Sequence, residues 1–111
     1  MMKPKNIDAL IGLGSIFEGF FQVNGILWIE GTFKGQQVSA DQVYVAPEGE
    51  GYSEIKGGAV IVEGKVVGNI VGFNRVMLMP GSKIYGDITT PELITQKGVI
   101  LEGKCTITQN V

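Results

Sequence analysis

Short runs of apolar residues at alternate positions recur along the whole chain. The clearest are ILWIE, VYVAP, VIVEG and VMLMP, in which pairs such as Leu27/Ile29 and Val60/Val62 are separated by one residue. This period of two is that of an extended strand with one buried face, and the β-branched and aromatic residues of these runs favour strands. Glycines interrupt the pattern too often for an amphipathic helix.

The runs belong to a repeat of about 17 residues. Two sequence landmarks give this period independently. One is an apolar position that follows each sharp turn, or corner, and the other is the glycine that begins each corner. The first landmark falls at Phe21, Val38, Ile55, Ile70, Ile88 and, as a cysteine, Cys105. The second falls at Gly14, Gly31, Gly49, Gly64, Gly81 and Gly98.

Three short strands in each unit, joined at glycine corners, describe one triangular coil of the chain. Stacked coils let each strand pair in parallel with its copies, and the rest of the coil is the crossover that parallel strands need. Such crossovers are right-handed, and glycine tolerates the positive φ of a sharp corner. We therefore predict an all-β, right-handed parallel β-helix, a three-sided β-solenoid of about six rungs over residues 10–107, with short tails at 1–9 and 108–111.

Two other all-β folds fit the pattern less well. A sandwich or meander of hairpins has short strands too, but it predicts two-residue Asn-Gly or Asp-Gly loops, and that dipeptide occurs only at Asn24-Gly25. A left-handed β-helix of the hexapeptide type would place an aliphatic residue at every sixth position. The unequal glycine gaps, such as 31 to 35 and 81 to 86, interrupt that rhythm.

Composition narrows the class of protein. With 44% hydrophobic and 18% charged residues among 111, the chain has the composition of one folded domain. A net charge of −2 offers no basic surface for nucleic acid. No apolar run approaches the roughly 20 residues of a membrane-spanning helix, the N-terminus lacks the pattern of a signal peptide, and a single cysteine excludes an internal disulfide. We therefore expect a cytoplasmic protein.

No residue pattern indicates an active site. The sequence has no histidine, which removes the commonest general base and metal ligand, and no corner ends in the Lys-Ser/Thr of a P-loop. Cys105 takes an aliphatic position of the repeat, so we interpret it as a buried apolar side chain. Trp28 should point outward, either toward a lateral partner or against the N-terminal tail. We predict a protein that is not an enzyme and uses no cofactor or metal.

The two ends of such a solenoid should be adhesive. Each end coil exposes unpaired backbone groups and a slice of the core, and repeat proteins normally cap such ends. We expect residues 1–8 to be too short for a capping helix, although tails that shield the ends are the alternative. The predicted polymerisation interface comprises Ile16, Phe17, Phe20 and Phe21 at one end and Ile100, Leu101, Cys105 and Ile107 at the other.

The repeat resembles the core of the bactofilins, a family of bacterial polymer-forming cytoskeletal proteins. The similarity covers about Leu10 to Thr106, and its most specific part is LMPGSKIYGDITTPEL followed by GVILEG. The resemblance implies end-to-end assembly with other copies of the chain into non-polar, nucleotide-independent filaments. It also implies scaffolding of cell-wall or cell-shape proteins at the cytoplasmic face of the inner membrane.

The family's N-terminal membrane-targeting peptide would correspond here to Met1, Met2, Lys3 and Lys5, with a solvated tail as the alternative. Leu101 stands where many family members carry phenylalanine, which predicts a weaker or differently packed C-terminal contact. Two other function classes stay open on the sequence alone. One is a β-helix enzyme or carbohydrate-binding module, with acids or aromatic residues stacked along an outer face, and the other is a monomeric β-helix adaptor.

Overall fold

The computed structural model describes residues 6–108, in which all regular structure is β-strand. The strands form one sheet, and every strand pair in it is parallel. The described strands are β1 (Ala9–Ile11), β2 (Ile16–Glu18), β3 (Phe21–Ile29), β4 (Thr32–Val45), β5 (Glu50–Val62), β6 (Lys65–Val67), β7 (Ile70–Leu78), β8 (Lys83–Tyr85), β9 (Ile88–Thr90), β10 (Leu93–Thr95), β11 (Ile100–Glu102) and β12 (Cys105–Ile107).

The sheet winds into about six stacked coils with three faces. The first face stacks β1, the C-terminal parts of β3, β4, β5 and β7, and β10. The second face stacks β2, the N-terminal parts of β4 and β5, then β6, β8 and β11. The third face stacks the N-terminal parts of β3 and β7, the middle parts of β4 and β5, then β9 and β12. The predicted all-β solenoid is confirmed, and its right-handedness stays a prediction.

The aliphatic landmark of the sequence is the register of the third face, because Phe21, Val38, Ile55, Ile70, Ile88 and Cys105 are successive partners there. The six glycines of the second landmark are only partly equivalent in the structure. Gly31, Gly49 and Gly64 directly precede the second face, whereas Gly14, Gly81 and Gly98 lie one position earlier, in longer corners. These last three glycines have φ between +82° and +90°, which explains why glycine occupies that position as well.

The core is a set of apolar columns that run along the solenoid. Strands of the first and third faces turn alternate residues inward, and the short strands of the second face turn in their middle residue. On the second face Phe33, Val66 and Ile84 are fully buried at this middle position. One coil buries too little apolar surface to offset the entropy of ordering about 17 residues, so each coil depends on stacking with its neighbours.

The corner between the second and third faces is built on a column of glycines. A Cβ atom at Gly68 would lie 2.0 Å from the carbonyl oxygen of Ser53 on the preceding coil, and φ at Gly68 is +146°. Successive coils therefore approach here as closely as only glycine permits, which is why the sequence repeats this corner. The column comprises Gly19, Gly35, Gly68, Gly86 and Gly103, and the third coil carries Ser53 at this position.

Side chains at the same corner also connect successive coils. The Oδ1 atom of Asn69 accepts a hydrogen bond of 3.0 Å from the backbone N–H of Asp87. The Oδ1 atom of Asp87 in turn accepts one of 2.9 Å from the backbone N–H of Lys104. These bonds hold the last two corners in register and thereby support the C-terminal end of the solenoid.

Candidate functional site

Each end of the solenoid has an unpaired edge on all three faces. At the N-terminal end β1 pairs only with β3, β2 only with β4, and the first part of β3 only with β4. At the C-terminal end β10, β11 and β12 each pair with one strand, whereas the interior strand β6 pairs with two. Within residues 6–108, nothing pairs with these outer edges. We call them the N-end face, formed by residues 9–23, and the C-end face, formed by residues 93–107.

Three phenylalanines close the core at the N-end face. The ring of Phe17 lies 5.5 Å from that of Phe33, nearly parallel to it, and 4.8 Å from that of Phe21, edge to face. Phe33 is fully buried beneath them, whereas Phe17 is 36% exposed. The apolar core therefore continues to the surface at this end.

The C-end face is aliphatic. Ile100 and Ile107 are about half exposed, and Leu101 is half-buried against the core. Cys105 lies in register with the buried Ile88 but is exposed, because no coil stacks beyond it. The prediction that Cys105 is buried is therefore wrong for the single chain.

One solvent-facing column of the second face changes from polar to apolar at the two ends of the solenoid. The partners in this column are Ile16, Thr32, Glu50, Lys65, Lys83 and Ile100. Its four interior residues are polar, but both terminal residues are isoleucines, and Ile16 is 65% exposed. Phe20 is a second exposed apolar residue at the N-terminal end, and the equivalent residue of the next coil is the polar Gln37. The interior positions of this column thus carry polar side chains that suit contact with water, whereas its two ends expose apolar surface.

Of the eight residues of the predicted interface, four lie in the first coil and four in the last, and their contact with other copies stays a prediction. Leu10 and Leu13 are also exposed in the first coil; they belong to the apolar first coil that the sequence shows but were left out of the predicted interface. Their signal was present in the apolar run LIGLGSIF, which no interior coil shares at its corner. The candidate membrane contacts Met1, Met2, Lys3 and Lys5 lie outside the described residues.

The middle residue of each first-face strand points away from the core and forms an outer column. It comprises Leu10, Trp28, Tyr44, Ile61, Met77 and Ile94. Trp28 takes the outward position that its sequence context predicts, but it is only 4% exposed. Its ring lies 4.0 Å from that of Tyr44, and Ile7 and Ile61 pack against the pair.

Two carboxylates border this aromatic pair. The Nε1–H of Trp28 donates a hydrogen bond of 3.2 Å to Glu30, and the hydroxyl of Tyr44 donates one to Glu63. Burial and the bond to Glu63 raise the pKa of Tyr44 well above its usual value, with smaller contributions from the charges of Glu48 and Glu30. This edge of the outer column is therefore acidic.

Among residues 6–108, no group of three or more histidine, cysteine, aspartate or glutamate side chains is placed to hold a metal ion. That part of the chain contains no helix, and so none that could span a bilayer.

The structure defines the chain as a parallel β-solenoid protein whose outermost described strands have an unpaired edge at each end. The sequence model of the bactofilins, described as polymer-forming cytoskeletal proteins, matches residues 9–106, and the chain belongs to this family. It is similar to Bactofilin BacO of Myxococcus xanthus (strain DK1622), with 29% identity over 96 residues that cover 86% of this chain and 76% of that protein. No solved structure matches it. The chain is thus a structural, polymer-forming cytoskeletal protein and not an enzyme.

Proposed function

We propose that this bactofilin polymerises end to end, N-end face on N-end face and C-end face on C-end face, into filaments that need no nucleotide. The observation that carries the proposal is the column that is polar in the interior coils and isoleucine at both ends, Ile16 and Ile100. Stacking of end faces would cover these side chains and pair the outer strand edges at once. Apolar coverage and strand pairing are both available only at the two ends of the solenoid. Because every molecule has two such ends, the contacts continue from one molecule to the next as a filament.

The charges favour this non-polar arrangement over a head-to-tail one. Head-to-tail stacking would continue each column from one molecule into the next, because the C-end face would act as the coil before β1. Glu102 of one molecule would then lie directly opposite Glu18 of the next. Within the chain, the strand partner of Glu18 is Lys34. Like charges at directly opposite positions destabilise a strand pair. Glu92 and Asp8, one position before the first face at either end, would meet in the same way.

Assembly without a nucleotide is the first test. Purified protein, stripped of nucleotides with apyrase and of metals with EDTA, should still sediment and form filaments in negative-stain microscopy, because the proposed contacts are apolar and backbone groups only. A requirement for ATP, GTP or a divalent cation would contradict the proposal. A single particle at all concentrations would instead support the monomeric adaptor.

Cross-linking through Cys105 can test whether the filament is polar or non-polar. Cys105 is the chain's single cysteine and lies on the C-end face. If C-end faces meet, a short bismaleimide should link assembled wild-type protein into dimers and no further. Ser15→Cys on a Cys105→Ser background should do the same at the N-end face, since Ser15 is exposed there. In a head-to-tail polymer neither protein would form dimers, and only the chain carrying both cysteines would cross-link.

We further propose that these filaments act in the cytoplasm, at the inner face of the membrane, as a scaffold for cell-wall or cell-shape proteins. The family description and the similarity to Bactofilin BacO support a cytoskeletal role. The membrane contact would be made by Met1, Met2, Lys3 and Lys5, two apolar and two basic side chains, a combination that suits weak binding to anionic lipid.

A further inference from the structure

The corner between the third and first faces changes in length from coil to coil. In β3 it has two residues, 24–25, between positions that pair with β4, whereas the corresponding corner of β4 has only Asp41. The corner of β5 also has one residue, Gly58, and that of β7 again has two, 73–74. Two short corners therefore lie between two longer ones, and this edge of the solenoid is recessed over two coils, about 10 Å.

Phe73 projects beside this edge recess. Its side chain is 62% exposed although it belongs to an interior coil, and no other aromatic side chain of the described interior coils is exposed. The recess has a volume of about 330 Å³, and its lining includes Phe73 itself and the small residues Ala40 and Gly58. An exposed ring that adjoins a concave surface of small residues is a combination that suits contact with another protein surface.

Charged side chains flank both features. The Oδ2 atom of Asp41, in the recess, accepts a hydrogen bond of 2.9 Å from the backbone N–H of Gly25, and within residues 6–108 no cation pairs with this carboxylate. Arg75, two positions after Phe73, lies 3.5 Å from the carboxylate of Glu92, and both side chains are half exposed. Such a surface pair contributes little. The recess thus carries a negative charge and the projecting corner a positive one.

The projecting corner and the recess are complementary to each other in a second copy. A twofold axis near Gly58, perpendicular to the solenoid, would turn the edge of that copy antiparallel. Residues 73–75 of each molecule would then lie over the recess of the other, with Arg75 beside Asp41. Both recesses are filled at once, as in an isologous contact. Parallel edges would instead place Phe73 against Phe73 and leave both recesses empty.

We propose that two copies of this chain bind side by side and antiparallel through this edge, with Phe73 of each in the recess of the other and Arg75 paired with Asp41. The contact is separate from the two end faces and does not depend on them. It covers one aromatic side chain from each copy, so it is weak between single molecules. Where molecules are joined in rows, repeated contacts of this kind strengthen one another.

A cysteine close to the proposed axis tests the contact. Ala59→Cys on a Cys105→Ser background should be linked into dimers by a short bismaleimide, since Ala59 directly follows Gly58. Addition of Phe73→Ser should lower the dimer yield by about tenfold or more, because an aromatic side chain at the centre of a contact carries much of its affinity. Phe73 is exposed in the single chain, so circular dichroism and the melting temperature should stay those of the parent.

Reversal of the two charges tests the antiparallel arrangement. Asp41→Lys and Arg75→Glu should each lower the dimer yield several-fold, and the chain that carries both should regain it, because each lysine then faces a glutamate of the other copy. The yield is measured in assembled protein and, at high concentration, in an Ile16→Arg/Ile100→Arg background with blocked end contacts. The result therefore does not depend on filaments.

Val67→Cys on the Cys105→Ser background is the matched control, since Val67 is exposed in the middle of the solenoid but lies on the second face. It should give few dimers. Equal yields from Val67→Cys and Ala59→Cys would indicate random collisions and overturn the proposal, as would a yield that Phe73→Ser leaves unchanged or an absence of dimers. Failure of the double charge reversal to restore the yield would overturn the antiparallel arrangement.

Discussion

Ile16→Arg should block the N-end face and leave dimers joined through the C-end face, with no filaments. Ile100→Arg should leave dimers joined through the N-end face, and the double variant should be monomeric. The reason is that an unpaired guanidinium buried at the junction costs several kcal/mol, and each 1.4 kcal/mol is a factor of ten in affinity. We therefore expect the affinity of the substituted contact to fall by about 100-fold or more. Analytical ultracentrifugation and negative-stain microscopy measure both outcomes.

The solenoid itself should tolerate these substitutions. Lys65 and Lys83 occupy the same column in interior coils, so a long basic side chain is compatible with the coil at that position. Phe21 and Leu101 are poorer choices for a test, because they also pack against the core and an arginine there would disturb folding.

Val67→Arg is the matched control, since Val67 lies on the second face in the middle of the solenoid and is 37% exposed. Its filaments should equal those of the wild type. Wild-type filaments from both end variants would show that the end faces are not the interface. Monomers from each single variant would favour head-to-tail assembly instead, because either substitution then blocks every junction.

Gly68→Ala should strongly destabilise the solenoid. At φ +146° an alanine is strained, and its Cβ would lie 2.0 Å from the carbonyl oxygen of Ser53. That oxygen belongs to the backbone of the neighbouring coil, so relief requires the two coils to separate. We expect a loss of about 3 kcal/mol or more in the free energy of unfolding, with a fall in melting temperature of about 10 °C or more. Urea unfolding of the Ile16→Arg/Ile100→Arg monomer measures it without a contribution from assembly.

Gly51→Ala is the control for this substitution. Gly51 is also buried, but its φ is not in the positive region, and a Cβ there would meet only the Cδ1 atom of Ile55 at 3.4 Å. Its stability should change by less than about 1 kcal/mol, since the alanine also reduces the entropy of the unfolded chain. A loss at Gly51 as large as that at Gly68 would show that the close approach of the coils is not the cause.

Much of the coil could be predicted from the sequence because its signals are local and repeated. A period of two requires only that one strand face be buried, and a corner that needs glycine shows in the spacing of Gly68, Gly86 and Gly103. The third-face column from Phe21 to Cys105 was therefore correct residue by residue. The same repeat of about 17 residues places Ile16 in the first coil and Ile100 in the last.

Exposure and contact depended on the tertiary structure. Cys105 and Ile88 occupy equivalent positions in the repeat, and only the absence of a coil beyond β12 in the described chain makes one exposed and the other buried. Trp28 and Met77 likewise share an outer column, yet Trp28 is buried because Tyr44 and Ile7 pack on it. A strand pattern specifies which way a side chain points, because that depends on its own backbone. Whether another residue packs against that side chain depends on residues 15 or more positions away, which come together only when the coils stack.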